Sequence, residues 1–432
     1  MKKPELLSPA GTLKNMRYAI AYGADAVYAG LPRYSLRVRN NDFMAQNLRT
    51  GIQEAQEQGR KFYLACNLLP HGVKLKTFLQ DMTPIVALGP DALILSDPGL
   101  IMLVRERWPE MPIHLSVQAN TVNSAAVRFW QQVGVARVIL SRELSLDEIA
   151  EIREACPETE LEVFIHGALC IAYSGRCLLS GYFNHRDANQ GSCTNSCRWQ
   201  YRLAGAEGAE EVSASSQSGQ IRHPAADQVY LLEEGKRPGE LMPVHEDEQG
   251  TYIMNSKDLR AVEHVRRLME IGVDCLKIEG RTKSHYYAAR ATQVYRQAID
   301  DALAGRAFRP QLMTDLEGLA SRGYTDGFYL RHPTQELQNY RDGSSRGHRQ
   351  QFVAEVSEFN PESGMALLEV KNKLLLGDSL ELLTPGESMR FQLEQMEDLD
   401  GNPMREAPGG GYRVRIALPA VRPEMGLLVK DL

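Results

Sequence analysis

One pattern constrains this chain more than any other. Short apolar runs recur along its first two-thirds, and amphipathic stretches lie between most of them. The runs are Glu5-Leu6-Leu7-Ser8, Ala26-Val27-Tyr28-Ala29-Gly30, Phe62-Tyr63-Leu64-Ala65-Cys66, Ala92-Leu93-Ile94-Leu95-Ser96, Ile113-His114-Leu115-Ser116, Val138-Ile139-Leu140-Ser141, Leu161-Glu162-Val163-Phe164-Ile165, Tyr252-Ile253-Met254 and Cys275-Leu276-Lys277-Ile278. Runs this short and this apolar suit strands buried on both faces, and helices between them indicate a parallel sheet. The repeat persists from Glu5 to Ile278, which favours a (β/α)8-type barrel over an open sheet. Nine runs are one more than such a barrel needs, so one is expected to pair elsewhere or to be no strand at all. No GxGxxG follows the first run, which weakens a dinucleotide-binding reading.

The strand ends are polar: Ser8, Asn67, Ser96-Asp97, Gln118 and Asn120, Arg142-Glu143, His166, Asn255 with Lys257 and Asp258, and Glu279 with Arg281. A barrel gathers such positions at one mouth, where active sites sit. The alternative is that they cap the helices that follow. Capping does not account for Lys277, Glu279, Arg281 and Lys283 falling in one short segment.

The regularity breaks between about 168 and 250, an insertion expected over the mouth. Ala204 to Gln220 reads as a flexible loop, and Tyr230 to Gly250 as a hairpin excursion. A polar, basic linker spans 341–349. Beyond it, Phe352–Val356, Met365–Val370, Ser379–Leu383 and Tyr412–Ile416 alternate in polarity and are separated by turn residues. These predict two domains: a barrel over 1–335 carrying the insertion, and a small antiparallel β-barrel over 345–432.

Seven cysteines in a long chain do not suggest a disulfide framework. Four of them form a cluster within 28 residues, Cys170-x6-Cys177-x15-Cys193-x3-Cys197. Four thiolates satisfy either a zinc ion or a four-iron cluster. The wide first interval favours the cluster, with zinc as the alternative, because zinc knuckles space their pairs closely. Arg176, His185, Arg186 and Arg198 lie in the same segment and favour thiolate. Cys66, Cys156 and Cys275 are expected to pack as small hydrophobes.

The formal net charge is −6. Any nucleic-acid contact must therefore rest on local positive charge. Arg33, Arg37 and Arg39 surround Tyr34, and Arg341, Arg346, His348 and Arg349 form a second basic group. No secretory leader and no run of 18 apolar residues is seen, so a cytoplasmic location is expected.

Several motifs carry a resemblance. Glu162-Val-Phe-Ile-His-Gly-Ala-Leu-Cys170 followed by Gly175-Arg-Cys177-Leu-Leu-Ser180 resembles the signature of peptidase family thirty-two, the collagenase-like peptidases of unknown catalytic type. Leu7-Ser-Pro-Ala-Gly11, Gly23-Ala-Asp-Ala-Val-Tyr-Ala-Gly30, Asn255-Ser-Lys-Asp-Leu259 and Lys277-Ile-Glu-Gly-Arg281 fit the same family. Length, cysteine pattern and C-terminal β-domain look most like its tRNA-hydroxylating branch.

The resemblance implies an RNA-modifying enzyme with an iron–sulfur cluster (4Fe-4S) on Cys170, Cys177, Cys193 and Cys197. It further implies 5-hydroxyuridine formation at the tRNA wobble position, independent of molecular oxygen and dependent on prephenate. The anticodon loop of tRNA is then the macromolecular partner, and the electron donor is unassigned. On this reading Glu279 and Glu143 are candidate general bases, and Lys257 joins them as a catalytic candidate. Arg37, Gln118, Arg142, His166, Asn255, Lys277 and Arg281 are candidates for binding substrate, the arginines through bidentate pairs to carboxylate or phosphate. The rival readings are a peptidase and a non-catalytic tRNA-binding or cluster-carrying subunit. No H-E-x-x-H occurs to support a metal-dependent peptidase.

Overall fold

The structure is a computed structural model. It describes residues 1–36, 41–169, 257–321, 323–330, 350–419 and 423–432, together with the backbone of 230–233, 241–247 and 250–252. Cys170, Cys177, Cys193, Cys197, Arg37 and Asn255 lie outside these residues. So do Arg39, the Ala204–Gln220 segment and the 341–349 linker.

Seven strands follow one another around a barrel: β1 (Glu5–Pro9), β2 (Ala26–Gly30), β3 (Lys61–Ala65), β4 (Ala92–Leu95), β5 (Ile113–Leu115), β6 (Arg137–Ile139) and β7 (Glu160–Ala168). Next come β8 (Tyr230–Glu233), β9 (Leu241–Asp247), β10 (Gly250–Tyr252), β11 (Asp258–Arg260), β12 (Cys275–Ile278) and β13 (Tyr324–Thr325). Strand β12 pairs in parallel with both β7 and β1, which closes an eight-stranded parallel barrel. The surplus apolar run pairs outside it: Tyr252 belongs to β10, which lies antiparallel to β9, and β9 pairs with β8 in the expected hairpin excursion.

Strand β11 is an addition that the sequence pattern does not announce. It lies antiparallel along the distal half of β7, with Arg260 opposite His166 and Asp258 opposite Ala168, and β13 joins it. Lys257 and Asp258 therefore sit on this outer flap and not on a barrel strand.

The described helices are α1 (Leu13–Ala21), α2 (Ala45–Glu57), α3 (Gly72–Val86), α4 (Pro98–Arg107), α5 (Ser124–Gln132), α6 (Leu146–Ala155), α7 (Val265–Ile271), α8 (His285–Leu303) and α9 (Gln311–Glu317). Capping explains one of the strand-end residues, Asp97. Asp97 accepts from the Leu100 amide at the start of α4, and Ser145 forms a capping box with Glu148 at α6. Ser8 turns outward, where its hydroxyl meets Thr292 of α8 at 2.5 Å. No described helix is long and apolar enough to cross a membrane.

The C-terminal strands are antiparallel, as expected. They comprise β14 (Gln350–Asn360), β15 (Met365–Val370), β16 (Leu374–Leu375), β17 (Ser379–Leu383), β18 (Ser388–Gln392), β19 (Met396–Glu397), β20 (Glu406–Ala407), β21 (Arg413–Ala417) and β22 (Leu427–Asp431). Seven pair in the order β18-β17-β22-β14-β15-β21-β19 around their own apolar core.

This domain docks on α1 and α8. Glu355 meets Lys14 at 2.6 Å and His285 at 2.9 Å, and Arg290 reaches Glu381 at 2.7 Å. The Tyr22 hydroxyl lies between the carbonyls of Leu383 and Met425, and Tyr286 stacks on Phe352. Lys371 also holds Glu355, at 2.9 Å. Burial alone would raise the Glu355 carboxyl, but its cationic partners outweigh burial and hold it far below the ordinary range.

Candidate active site at the barrel mouth

The barrel interior is built from charges stacked in layers. At the bottom, the Glu5 carboxylate meets Arg137 at 2.7 Å, Lys61 at 3.2 Å and the Tyr63 hydroxyl at 2.8 Å. Burial would raise the Glu5 carboxyl, but the neighbouring Arg137 and Lys61 hold it below its ordinary value. One layer higher, Glu162 is fully buried and bonds Lys277 at 2.7 Å and Arg137 at 3.3 Å. His114 packs its ring on Tyr63, and burial together with Arg137 and Lys277 keeps the imidazole neutral. Cys275 belongs to this layer too, where burial pushes its thiol well up. Cys66 and Cys156 are buried free thiols, and burial lifts Cys66 to about 12.

Two aromatic rings roof this layer. The Lys277 ammonium lies 4.3 Å from the Tyr28 ring centroid and 5.5 Å from that of Phe164. Above the rings is the mouth. Arg142 stacks its guanidinium 3.8 Å over Phe164 and stands 3.8 Å from the Glu279 carboxylate. The Tyr28 hydroxyl sits 3.0 Å from the Ile278 carbonyl and 3.3 Å from Glu279 Oε2. Burial drives its phenol well above the ordinary range, and the Glu279 charge adds to this. Arg281 bonds Ser35 at 2.6 Å and faces Tyr28 with its guanidinium 5.8 Å away.

Two glycines make this packing possible. A Cβ on Gly30 would fall 2.0 Å from the Arg281 guanidinium. Gly167 has φ +102°, and its Cβ would lie 2.4 Å from the Glu279 carbonyl.

On the opposite arc, the Asn67 amide donates to Gln118 at 3.0 Å and approaches Ser116 at 3.3 Å, while Ser116 also bonds Gln118. Ser96 donates to the Asn67 carbonyl at 3.0 Å. Arg142, Glu279, Arg281 and Gln118 thus converge on the mouth, and Lys277 lies one layer below them.

His166 faces outward. It is buried among Tyr287, Tyr295 and Tyr324, between β7 and α8. Burial, with Arg260 and Lys283 nearby, lowers its imidazole to about 3, so the ring is neutral. Lys257 lies beside Gly323 on the flap. Glu143 follows Arg142 beyond the end of β6, and its Oε2 is closed to solvent without a hydrogen-bond partner among the described residues.

Tyr28, Phe164, Thr121 and Ser141 were not singled out by the strand-end pattern. Parity could have found three of them. Tyr28 lies two residues before Gly30, Phe164 two after Glu162, and Ser141 shares the parity of Arg137. Among the described residues one further group offers metal-type donors, Glu263, His264 and Asp326, outside the barrel wall. There His264 meets Asp326 at 3.3 Å and Glu263 at 3.5 Å.

Charge divides between the domains. Residues 350–432 hold fourteen acidic and eight basic side chains, which is the whole excess of negative charge. A polyanion is therefore more readily received by the barrel than by the C-terminal domain.

The family models match this architecture. Peptidase family U32 matches residues 11–339, and the peptidase family U32 C-terminal domain matches 348–430. The chain belongs to peptidase family U32. It is 59% identical to tRNA hydroxylation protein P of Escherichia coli, over 97% of this chain and 94% of that one. It is 55% identical to tRNA hydroxylation protein P of Haemophilus influenzae, over 100% and 96%. It is also 27% identical to a collagenase of Porphyromonas gingivalis, over 91% of each.

Proposed function

We propose that this protein is a tRNA-modifying enzyme that hydroxylates C5 of uridine at the wobble position. The observation that carries the reading is near-full-length identity above one half to two proteins named for tRNA hydroxylation. The mouth suits such a substrate. Tyr28 and Phe164 offer aromatic faces, and Arg142 and Arg281 offer guanidinium groups to phosphate or carboxylate. A loop base is already unpaired, so drawing it into the barrel costs little.

Replacing the C5 hydrogen by hydroxyl is a two-electron oxidation of the base. It requires an oxygen source and an electron acceptor. The co-substrate we assign is a prephenate-type dicarboxylate, seated against Arg142 and Arg281, with molecular oxygen not required. Cys170, Cys177, Cys193 and Cys197 are assigned to a four-iron cluster. Their all-thiolate donor set fits iron, and such a cluster supplies electron transfer when bound. Glu279 accepts a proton at the mouth, with Arg142 steadying the resulting charge balance.

Nothing in the described site favours the peptidase alternative. His114 and His166 are both buried and neutral, and His166 faces away from the mouth. We place the enzyme in the cytoplasm, where its tRNA substrate resides.

Nucleoside analysis of tRNA from a deletion strain tests the assignment. The modified uridine should disappear and return with the wild-type gene. Its persistence in the deletion strain would remove the assignment. Anaerobic purification should yield iron and sulfide in near-equal amounts; stoichiometric zinc without sulfide would replace the cluster.

A further inference from the structure

Polar side chains around most of the mouth are already partnered. Asn67, Ser116 and Gln118 bond one another, Arg142 faces Glu279, and Lys277 holds Glu162. The arc formed by the ends of β5 and β6 differs. There the Thr121 hydroxyl, the Ser141 hydroxyl and the Glu143 Oε2 are all closed to solvent and have no hydrogen-bond partner among the described residues. Thr121 is 1% exposed and Ser141 4%.

The three belong together. The Ser141 amide bonds the Thr121 carbonyl at 3.2 Å, and Glu143 follows two residues later. Extended pairing continues past β6, since the Leu140 amide bonds the Glu162 carbonyl. Ser141 therefore keeps the parity of Arg137, whose guanidinium lies inside the barrel with Glu5 and Glu162. An unpartnered buried polar group is destabilising, and native proteins keep few of them. Three on one arc beside a binding mouth point to a ligand that completes them.

We propose that Thr121, Ser141 and Glu143 form the subsite that reads the edge of the base. This rests on the tRNA-hydroxylating reading above. An ionised carboxylate only accepts hydrogen bonds, while a hydroxyl can donate or accept. The matching ligand edge offers an N–H to Glu143 and carbonyl oxygens to the two hydroxyls. Uracil has that edge: its N3 carries hydrogen between two carbonyl groups. Cytosine presents a bare N3 and repels the carboxylate. The hydroxyls adapt to either base, so Glu143 is the specificity-determining residue. Thr121 and Ser141 are buried, so the edge that pairs with them must be brought inside the mouth, as an extruded base is.

The test uses the full chain and two anticodon stem-loop RNAs, with uridine or cytidine at the wobble position. Wild-type protein should bind the uridine RNA more tightly. Glu143→Gln gives the site a donor for N3 of cytosine, so the preference should shift toward cytidine by about tenfold or more. Ser141→Ala removes one oxygen from the same subsite and should weaken uridine binding several-fold, which provides a second variant should the first not fold. Wild-type RNA binding with an unchanged uridine-to-cytidine ratio in both variants overturns the subsite and leaves the functional reading standing. Failure of the wild-type protein to bind either RNA overturns both.

Discussion

Glu162 is the keystone of the barrel interior, and its removal has a calculable cost. It is fully buried and supplies the one hydrogen-bond partner of the Lys277 ammonium among the described residues, at 2.7 Å. Arg137 loses less, because Glu5 at 2.7 Å and Glu160 at 2.8 Å remain. Glu162→Met therefore strands one buried ammonium, softened only by the Tyr28 ring. Breaking a buried pair from one side costs about 3–5 kcal/mol. Replacing both partners with apolar side chains of similar volume costs much less. The double variant Glu162→Met/Lys277→Met should recover about 2 kcal/mol or more relative to the sum of the single variants. Urea unfolding of the four proteins measures this cycle. Single-variant losses below about 1 kcal/mol, or losses that simply add, would refute the idea that the pair is coupled within a dry core.

Three further outcomes follow from the geometry. Gly30→Ala places a methyl group against the Arg281 guanidinium; tRNA modification should fall by about 100-fold with little loss of thermal stability, and normal turnover would mean that Arg281 need not stand where it does. The Glu355 carboxyl is held far below the ordinary range, so its contribution to docking is present above about pH 4.3, its usual value, and is lost as pH falls through the lowered one. Glu355→Gln should flatten that acid limb of the stability profile, and an unaltered limb would locate the acid sensitivity elsewhere. His166→Phe should keep activity within a few-fold because the neutral ring packs among tyrosines away from the mouth, with one long contact to the Tyr295 hydroxyl; complete loss would show that substrate or cofactor reaches it.

The barrel was legible because parallel strands covered on both faces are written as continuous apolar runs. Strand β11 was not, because Asp258-Leu259-Arg260 is short and polar and forms only against the exposed edge of β7. Polarity at a strand end is also silent about direction. Ser8 and His166 look like mouth residues in the sequence, yet alternation turns Ser8 toward Thr292, and a register irregularity between Phe164 and His166 turns His166 toward Tyr295, each more than a hundred residues away. Lys277 reads as a mouth cation but is drawn downward by Glu162, a residue hidden inside an apolar run. Arg142 and Glu279 were recognisable because two opposite charges at the ends of strands β6 and β12 have no apolar core to satisfy them. Their meeting over Phe164 depends on barrel closure, which no local pattern encodes.

The central assignment is tested most directly by complementing a deletion strain with Arg142→Ala or Glu279→Ala and measuring both tRNA nucleosides and protein-bound iron. Each variant should fold, retain wild-type iron and sulfide, and leave the wobble uridine unhydroxylated. Wild-type levels of hydroxylated uridine with both variants would contradict the placing of the chemistry at this barrel mouth.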